Sequence, residues 1–264
     1  MPEAIIVVAN SKGGTGKTTT TATLGRIFSM PPYNRGVLML DMDPQSSLTL
    51  SFGITKAQAE RANLSHAMRR DRTHQSLDRV IRYLGGMLYL APSHKEQMDE
   101  LEREMAVRVT GRDTALKRAL REIDWPDLIL IDTAPALGIL KINALVVATH
   151  VIVPTKPAAV DIGGLGEFLD TLDEVYELNE GLVRLGILLT FYHPRYRMHR
   201  AALAGLTTGE TIGGFRVFDT MIGDSVKVAE APGEAVTVVD YQPDNKRAQE
   251  YRALAQEVLE RMGL

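Results

Sequence analysis

The chain has no cysteine. That excludes disulfides, thiolate zinc sites, cysteine nucleophiles and cysteine-held iron–sulfur clusters, and it fits a reducing cytosol. No apolar run approaches the roughly 20 residues that a membrane-spanning helix needs. The first strand opens almost at the N-terminus, which leaves no space for a signal peptide. There is no large excess of charge: 30 basic against 33 acidic side chains give −3 over 264 residues. Contact with nucleic acid therefore needs a local patch rather than a global field. Internal repeats, linkers and low-complexity segments are also missing. The 45% hydrophobic and 24% charged residues are ordinary for a soluble globular protein, and the length supports a sizeable core.

The rest of the chain is organised around Lys12-Gly13-Gly14-Thr15-Gly16-Lys17-Thr18-Thr19. The stretch follows the apolar run Ala4 to Ala9 and precedes a helix-compatible segment, Thr20 to Met30. Strand, glycine-rich loop and helix N-terminus in that order make a phosphate cradle. Glycines let backbone N–H groups approach an anion, and the helix points its open amides at the same place. Lys17 is placed to reach β- and γ-phosphates, and the Thr18 hydroxyl to take Mg²⁺. The usual pattern has a further glycine where this chain has Ser11; a second lysine, Lys12, stands ahead of the glycines instead.

Downstream, Gly36 to Leu40 reads as a buried strand ending in Asp41-Met42-Asp43-Pro44-Gln45. Asp127 to Ile131 reads as another, ending in Asp132. Carboxylates at strand ends beside a phosphate loop sit where α/β sheets place ligands, one for a Mg²⁺ site and another to orient water. Residues 54–84 look helical and rich in arginine (Arg61, Arg69, Arg70, Arg72, Arg79 and Arg82), which alone reads as a solvated face. Met87 to Ala91 and Phe215 to Val217-Phe218 read as strands, Ser93 as a helix cap, Asp113 to Ile123 as a helix, and Asp161 as the cap of a long helix. Tyr192 to Arg200 carries three arginines, two histidines and two tyrosines with no acid, a composition that can meet a phosphate backbone through Arg195, Arg197 and Arg200. Strands alternating with helices imply a single doubly wound α/β domain, its mostly parallel sheet covered by helices on both faces.

With these stretches in order, the chain resembles the ParA/MinD class of deviant Walker A P-loop ATPases, and the ParA-type partition proteins within it. Lys12 to Thr19 resembles the KGGxGKTT loop with its signature lysine. Asp41 to Gln45 resembles switch I, DxDPQ. Asp127 to Leu145 resembles the Walker B and switch II stretch, and Val228-Ala229-Glu230-Ala231-Pro232 a C-terminal motif. The resemblance implies ATP/ADP and Mg²⁺ as cofactors and a homodimer that forms on ATP. Lys12 would reach the partner's phosphates, and Gly13 would lie where the two backbones meet. Asp43 would orient the hydrolytic water, with Thr18, Asp41 and Asp132 at the Mg²⁺ site. It further implies non-specific DNA binding, slow ATPase activity stimulated by a ParB-like centromere-binding protein, and a cytoplasmic, nucleoid-associated location without membrane attachment. Two departures accompany it. Gly223-Asp224 stands where many relatives have Pro-Arg beside the base pocket, leaving Lys227 and the 193–200 cluster as the basic surface. No N-terminal helix-turn-helix extension precedes the first strand, so operator binding is not expected. The same cycle could instead position a protein cargo such as a carboxysome or chemoreceptor cluster. It could also serve a MinD-like membrane regulator, but the mixed Glu/Arg face of the last helix suits that poorly. A metabolic ATPase using the same loop is the remaining alternative.

Overall fold

A computed structural model of the chain describes residues 2–208 and 211–264, without the side chains of residues 159–164. Among the described residues seven strands form one sheet: β1 (Ala4–Val8), β2 (Val37–Met42), β3 (Arg82–Gly85), β4 (Leu88–Ala91), β5 (Leu128–Thr133), β6 (His150–Thr155) and β7 (Val183–Leu189). The helices are α1 (Lys17–Phe28), α2 (Ser47–Ser51), α3 (Lys56–Arg61), α4 (Leu64–Met68), α5 (Leu77–Val80), α6 (Lys95–Ala106), α7 (Ala115–Leu120), α8 (Ile139–Val147), α9 (Ala159–Tyr176), α10 (Arg197–Thr207), α11 (Val226–Glu230), α12 (Val238–Tyr241) and α13 (Lys246–Met262).

The strand order is β3-β4-β2-β5-β1-β6-β7. Every neighbouring pair is parallel except β3 with β4. Because successive side chains point to opposite faces, each apolar strand feeds two cores. Val7, Leu38, Leu40, Ile129, Ile131, Val151 and Val153 enter one, with residues of α4, α6, α7, α8 and α9. Ile6, Val37, Met39, Leu128, Leu130 and Ile152 enter the other, closed mainly by α1 and α13. This is the doubly wound α/β fold that the alternation of strands and helices predicts. β1 lies between β5 and β6, so the sheet grows outward from it in both directions. The crevice past the C-terminal ends of these strands is where open α/β sheets bind ligands.

The departures from expectation are local. Residues 54–84 are not one helical stretch. Thr55 and Asn63 each start a new helix with a capping box. Gly85 and Gly86, at φ 105 and 63, then turn β3 back on β4, with Tyr83 and Tyr89 in ring contact across the pair. Phe215 to Phe218 forms no regular strand but takes part in two isolated bridges, Val217 parallel with Ile187 on the outer side of β7 and Phe215 antiparallel with Ile212. It serves to send Phe215 and Phe218 into opposite cores. The expected helix from Asp113 is only α7. α9 begins at Ala159, two residues before the expected cap Asp161, whose side chain lies outside the described residues. Ser93 does not cap α6: His94 holds that position, because the Ser93 hydroxyl is committed to the loop of Asp43, as described next.

Candidate active site

The loop between β1 and α1 is shaped by its glycines and anchored from both sides. Gly14 and Gly16 have φ of 68 and 87, the left-handed region that glycine enters at little cost. The Asn10 amide donates to the Pro154 carbonyl at 2.7 Å, and its Oδ1 accepts the Lys12 N–H at 3.1 Å. Across the loop, the Thr190 hydroxyl beyond β7 donates to the Thr15 carbonyl at 2.8 Å. Gly16 is the N-cap of α1 and offers no capping side chain, so the first amides of the helix remain open to an anion. The Lys17 ammonium folds back to donate to the Lys12 carbonyl at 2.9 Å. Burial lowers its pKa, against the pull of Asp132 and Asp43.

The three aspartates converge beneath this loop. Asp41 and Asp132 are register partners on β2 and β5, and Val8 pairs with Asp132 from the other side. Both carboxyls are fully buried. Burial pushes Asp41 up to about 7 against the Thr49 hydrogen bonds; burial, then the neighbouring Asp41, pushes Asp132 well up. The Thr18 hydroxyl donates to Asp132 Oδ2 at 2.7 Å, while Asp132 Oδ1 is buried with no partner. An unpaired buried carboxylate oxygen is costly, and a cation beside it would remove that cost. No group of three or more His, Asp or Glu side chains suited to a metal occurs among the described residues. Mg²⁺ suits such a place, because it takes one or two carboxylates and completes its shell with phosphate and water oxygens.

Asp41 is differently engaged. Its Oδ2 accepts the Thr49 N–H at 2.8 Å and the Thr49 hydroxyl at 2.6 Å, and its Oδ1 accepts the Asp43 N–H at 3.2 Å. The Thr49 Oγ1 in turn accepts the Ser93 N–H at 2.8 Å, and the Ser93 hydroxyl donates to the Asp43 carbonyl at 2.8 Å. Asp41, Thr49, Ser93 and Asp43 thus close a ring that holds the Asp43 loop. Asp43 Oδ1 accepts the Gln45 N–H at 2.8 Å.

Two lysines at the site carried no sequence signal beyond a charge in an apolar setting. Lys141 on α8 is 2% exposed and donates to the carbonyls of Pro135 at 2.6 Å and Asn10 at 3.3 Å. Burial, reinforced by Lys17, lowers its pKa to about 7. Lys156 reaches back over the loop, its Nζ 4.6 Å from the centre of the Phe191 ring. A cleft of about 180 Å³ beside Gly16 is lined by Thr19, Phe191, Gly223, Asp224 and Tyr251. At Gly223 an added Cβ would displace the Arg247 guanidinium, the mobile end of a long side chain.

The structure brings together the residues from Lys12 to Thr19 with Asp41, Asp43 and Asp132, and leaves the expected DNA-contact residues apart from them. Arg195 and Arg197 are exposed at the start of α10, beside the stacked rings of His193 and Tyr196, 4.2 Å apart. The Arg200 guanidinium donates to the Pro194 and Arg195 carbonyls at 3.0 and 3.1 Å. Lys227 is ion-paired with Glu230 at 2.8 Å, so its charge is already compensated.

Residues 3–183 match the family model described as AAA domain (AAA_31). The chain is 34% identical to the chromosome-partitioning ATPase Soj of Thermus thermophilus, over 97% of this chain and 96% of that protein. Among solved structures, cobyrinic acid a,c-diamide synthase from Mycobacterium smegmatis with bound ADP and magnesium superposes with TM-score 0.81 at 29% identity, over 97% of this chain and 93% of that one. Cyanothece McdA in an ATP complex superposes with TM-score 0.84 at 20% identity, over 100% and 98% of the two chains, a likeness of fold. The lysine-bearing loop, the buried aspartate pair and these relatives agree: the chain belongs to the AAA-domain family, in its ParA/Soj group of P-loop proteins.

Proposed function

We propose that this chain is an ATP-hydrolysing switch that dimerises on ATP, binds DNA without sequence preference, and drives DNA segregation with a ParB-like partner. The observation that carries the nucleotide part is the Thr18–Asp132 pair, with its unpartnered oxygen, beside Lys17 and an uncapped helix N-terminus. The Lys12–Thr19 backbone and Lys17 bind the phosphates. Thr18 and Asp132 hold Mg²⁺, which neutralises phosphate charge when bound. Asp41 sets the loop from which Asp43 orients the attacking water. Lys12, half-buried on the loop, extends to the nucleotide of a second copy. Arg195, Arg197 and Arg200 meet the DNA backbone, and the protein works in the cytoplasm on the nucleoid. The cargo assignment follows the partition role in the name of the Thermus relative.

The testing experiment uses Asp43→Ala, expected to bind ATP without hydrolysing it. Its mass by light scattering doubles with ATP and not with ADP. The ATP form then binds a non-specific duplex in a salt-sensitive way, and Arg195→Glu/Arg197→Glu/Arg200→Glu abolishes the increase in binding that ATP brings. A dimer that ignores DNA would move the function to a protein or membrane surface, and unchanged mass would remove the dimer mechanism.

Gly13 offers a cleaner probe of the dimer. It is exposed, and an added Cβ would come no closer than 3.8 Å to Pro135. Gly13→Val is therefore expected to keep the thermal midpoint and nucleotide binding of the parent while remaining monomeric with ATP. Dimerisation equal to the parent would take Gly13 out of the contact.

A further inference from the structure

The arginines between residues 54 and 84 have no part in the nucleotide site, and the structure sorts them. Arg69 is nearly buried and contacts the acids Glu100 and Glu104 at 2.6 and 3.2 Å. Arg82 donates to backbone carbonyls. Arg70 does neither: it joins a second basic segment. With Thr114, Lys117, Arg118 and Arg121 it lines an open surface pocket of about 320 Å³, four cationic side chains of five and no acid.

The pocket is built rather than accidental. The Arg118 guanidinium is fixed by Nη2, which donates to the carbonyls of Met68 at 2.7 Å and Arg69 at 3.1 Å; its Nη1 is buried with no partner. Arg70 lies on Gly111, whose φ of 66 and missing side chain leave room for it: an added Cβ would stand 2.9 Å from Arg70 Nη2. Burial, then the proximity of Arg70 and of Arg108, works against the charge on Arg118. Of the nearby acids, Glu104 is paired with Arg69 and Arg108, while Glu122 accepts the Leu77 N–H and offsets only part of the cost at Arg118. Clustered like charges around a buried free donor destabilise a folded chain unless an anion joins them. Arginine forks suit phosphate oxygens, which accept two parallel hydrogen bonds from one guanidinium.

We infer that the Arg70–Arg118–Arg121 pocket is a second phosphate-binding site, which takes adjacent phosphates of a nucleic-acid backbone independently of ATP. Independence follows from construction: its lining comes from α7 and the segments flanking it and following α4, none of which carries a residue of the phosphate loop or of the Asp43 ring. The inference therefore does not rest on the proposed nucleotide switch, nor on the cluster at α10.

The test uses the full-length protein without nucleotide and a fluorescent non-specific duplex at low salt. The variant is Lys117→Glu/Arg121→Glu, with Lys117→Gln/Arg121→Gln as the milder form; both positions are exposed. Each lost phosphate contact lowers the slope of log affinity against log salt by about 0.9. The expected result is binding at least about tenfold weaker, with the slope smaller by about 2 in magnitude. A duplex bound equally by parent and both variants overturns the site. Where the parent binds no duplex, the nucleic-acid assignment falls; tripolyphosphate also fits the loop from Lys12 to Thr19, so only a rise in melting temperature larger for the parent than for both variants keeps a site for free phosphate compounds here. No response of the parent to either probe overturns it. The ATP-dependent DNA binding of Asp43→Ala is read separately, so failure of one idea leaves the other standing.

Discussion

Lys17→Ala is expected to lower ATP turnover by at least about a hundredfold, or about 2.7 kcal/mol of transition-state stabilisation, without lowering the melting temperature. The two halves of this expectation have different causes. The Lys17 ammonium is the cation nearest the phosphates in the proposed binding mode, and no other side chain can take its place: Lys141 is held by the Asn10 and Pro135 carbonyls, and Lys156 sits over Phe191. Stability, by contrast, loses little. Lys17 is 6% exposed, so the folded chain bears the cost of desolvating it, and its ammonium donates to the Lys12 carbonyl, a bond that water can replace. Steady-state turnover with a nucleotide-binding titration and a melting curve reads all three quantities. Turnover at the parent's rate would remove the phosphate role from Lys17; loss of turnover together with a collapsed melting temperature would make it a structural residue.

The second large effect is a pH dependence at Lys141. Its pKa falls from the ordinary 10.5 to about 7 in the folded chain because burial disfavours the ammonium. Between those values the unfolded chain holds a proton that the folded chain has released, so this group's contribution to stability rises with pH across that window. Below about pH 7 the folded chain carries the full cost of a buried ammonium. At about 1.4 kcal/mol per pH unit, the interval corresponds to an effect on the order of 5 kcal/mol. Lys141→Met removes the titration. Its stability relative to the parent is expected to be greatest near pH 6 and to decline by several kcal/mol towards pH 10, read from urea unfolding at both ends. The Pro135 and Asn10 carbonyls lose a donor in the variant, which shifts the whole difference but not its slope. Parallel stability curves would mean that Lys141 titrates like an exposed lysine.

What the sequence made legible was whatever is encoded over a few neighbouring residues. The loop from Lys12 to Thr19 is a continuous segment, and its strand and helix flank it directly. Asp41 and Asp132 were recognisable because each ends an apolar run. The last helix was legible with its mixed Glu/Arg face; the fold adds its cap, Asn245 Oδ1 accepting the Arg247 N–H at 2.8 Å. The features that escaped depend on contacts between distant segments. Thr49 and Ser93 are unremarkable in sequence, and Ser93 reads naturally as a helix cap until Asp43 is seen to claim its hydroxyl. Lys141 interrupts an apolar helix, and only the fold shows its ammonium buried on two carbonyls beside the phosphate loop. The short helices between 54 and 80 and the hairpin into β4 were lost because charge composition masked the capping boxes at Thr55 and Asn63. The arginines there read as one solvated face, whereas Arg69 and Arg70 point to different neighbours.

The ring through Asp41, Thr49, Ser93 and Asp43 has a consequence for how this protein can vary. Ser93 lies 50 positions beyond Asp43 and on the far side of β4, yet its hydroxyl helps to fix the Asp43 loop. A change of hydroxyl at 93 frees the Asp43 carbonyl, and loss of the Thr49 hydroxyl frees the Ser93 amide and removes one of the two donors to Asp41 Oδ2, the Thr49 N–H remaining. The energetic effects of substitutions within the ring are therefore expected to be non-additive.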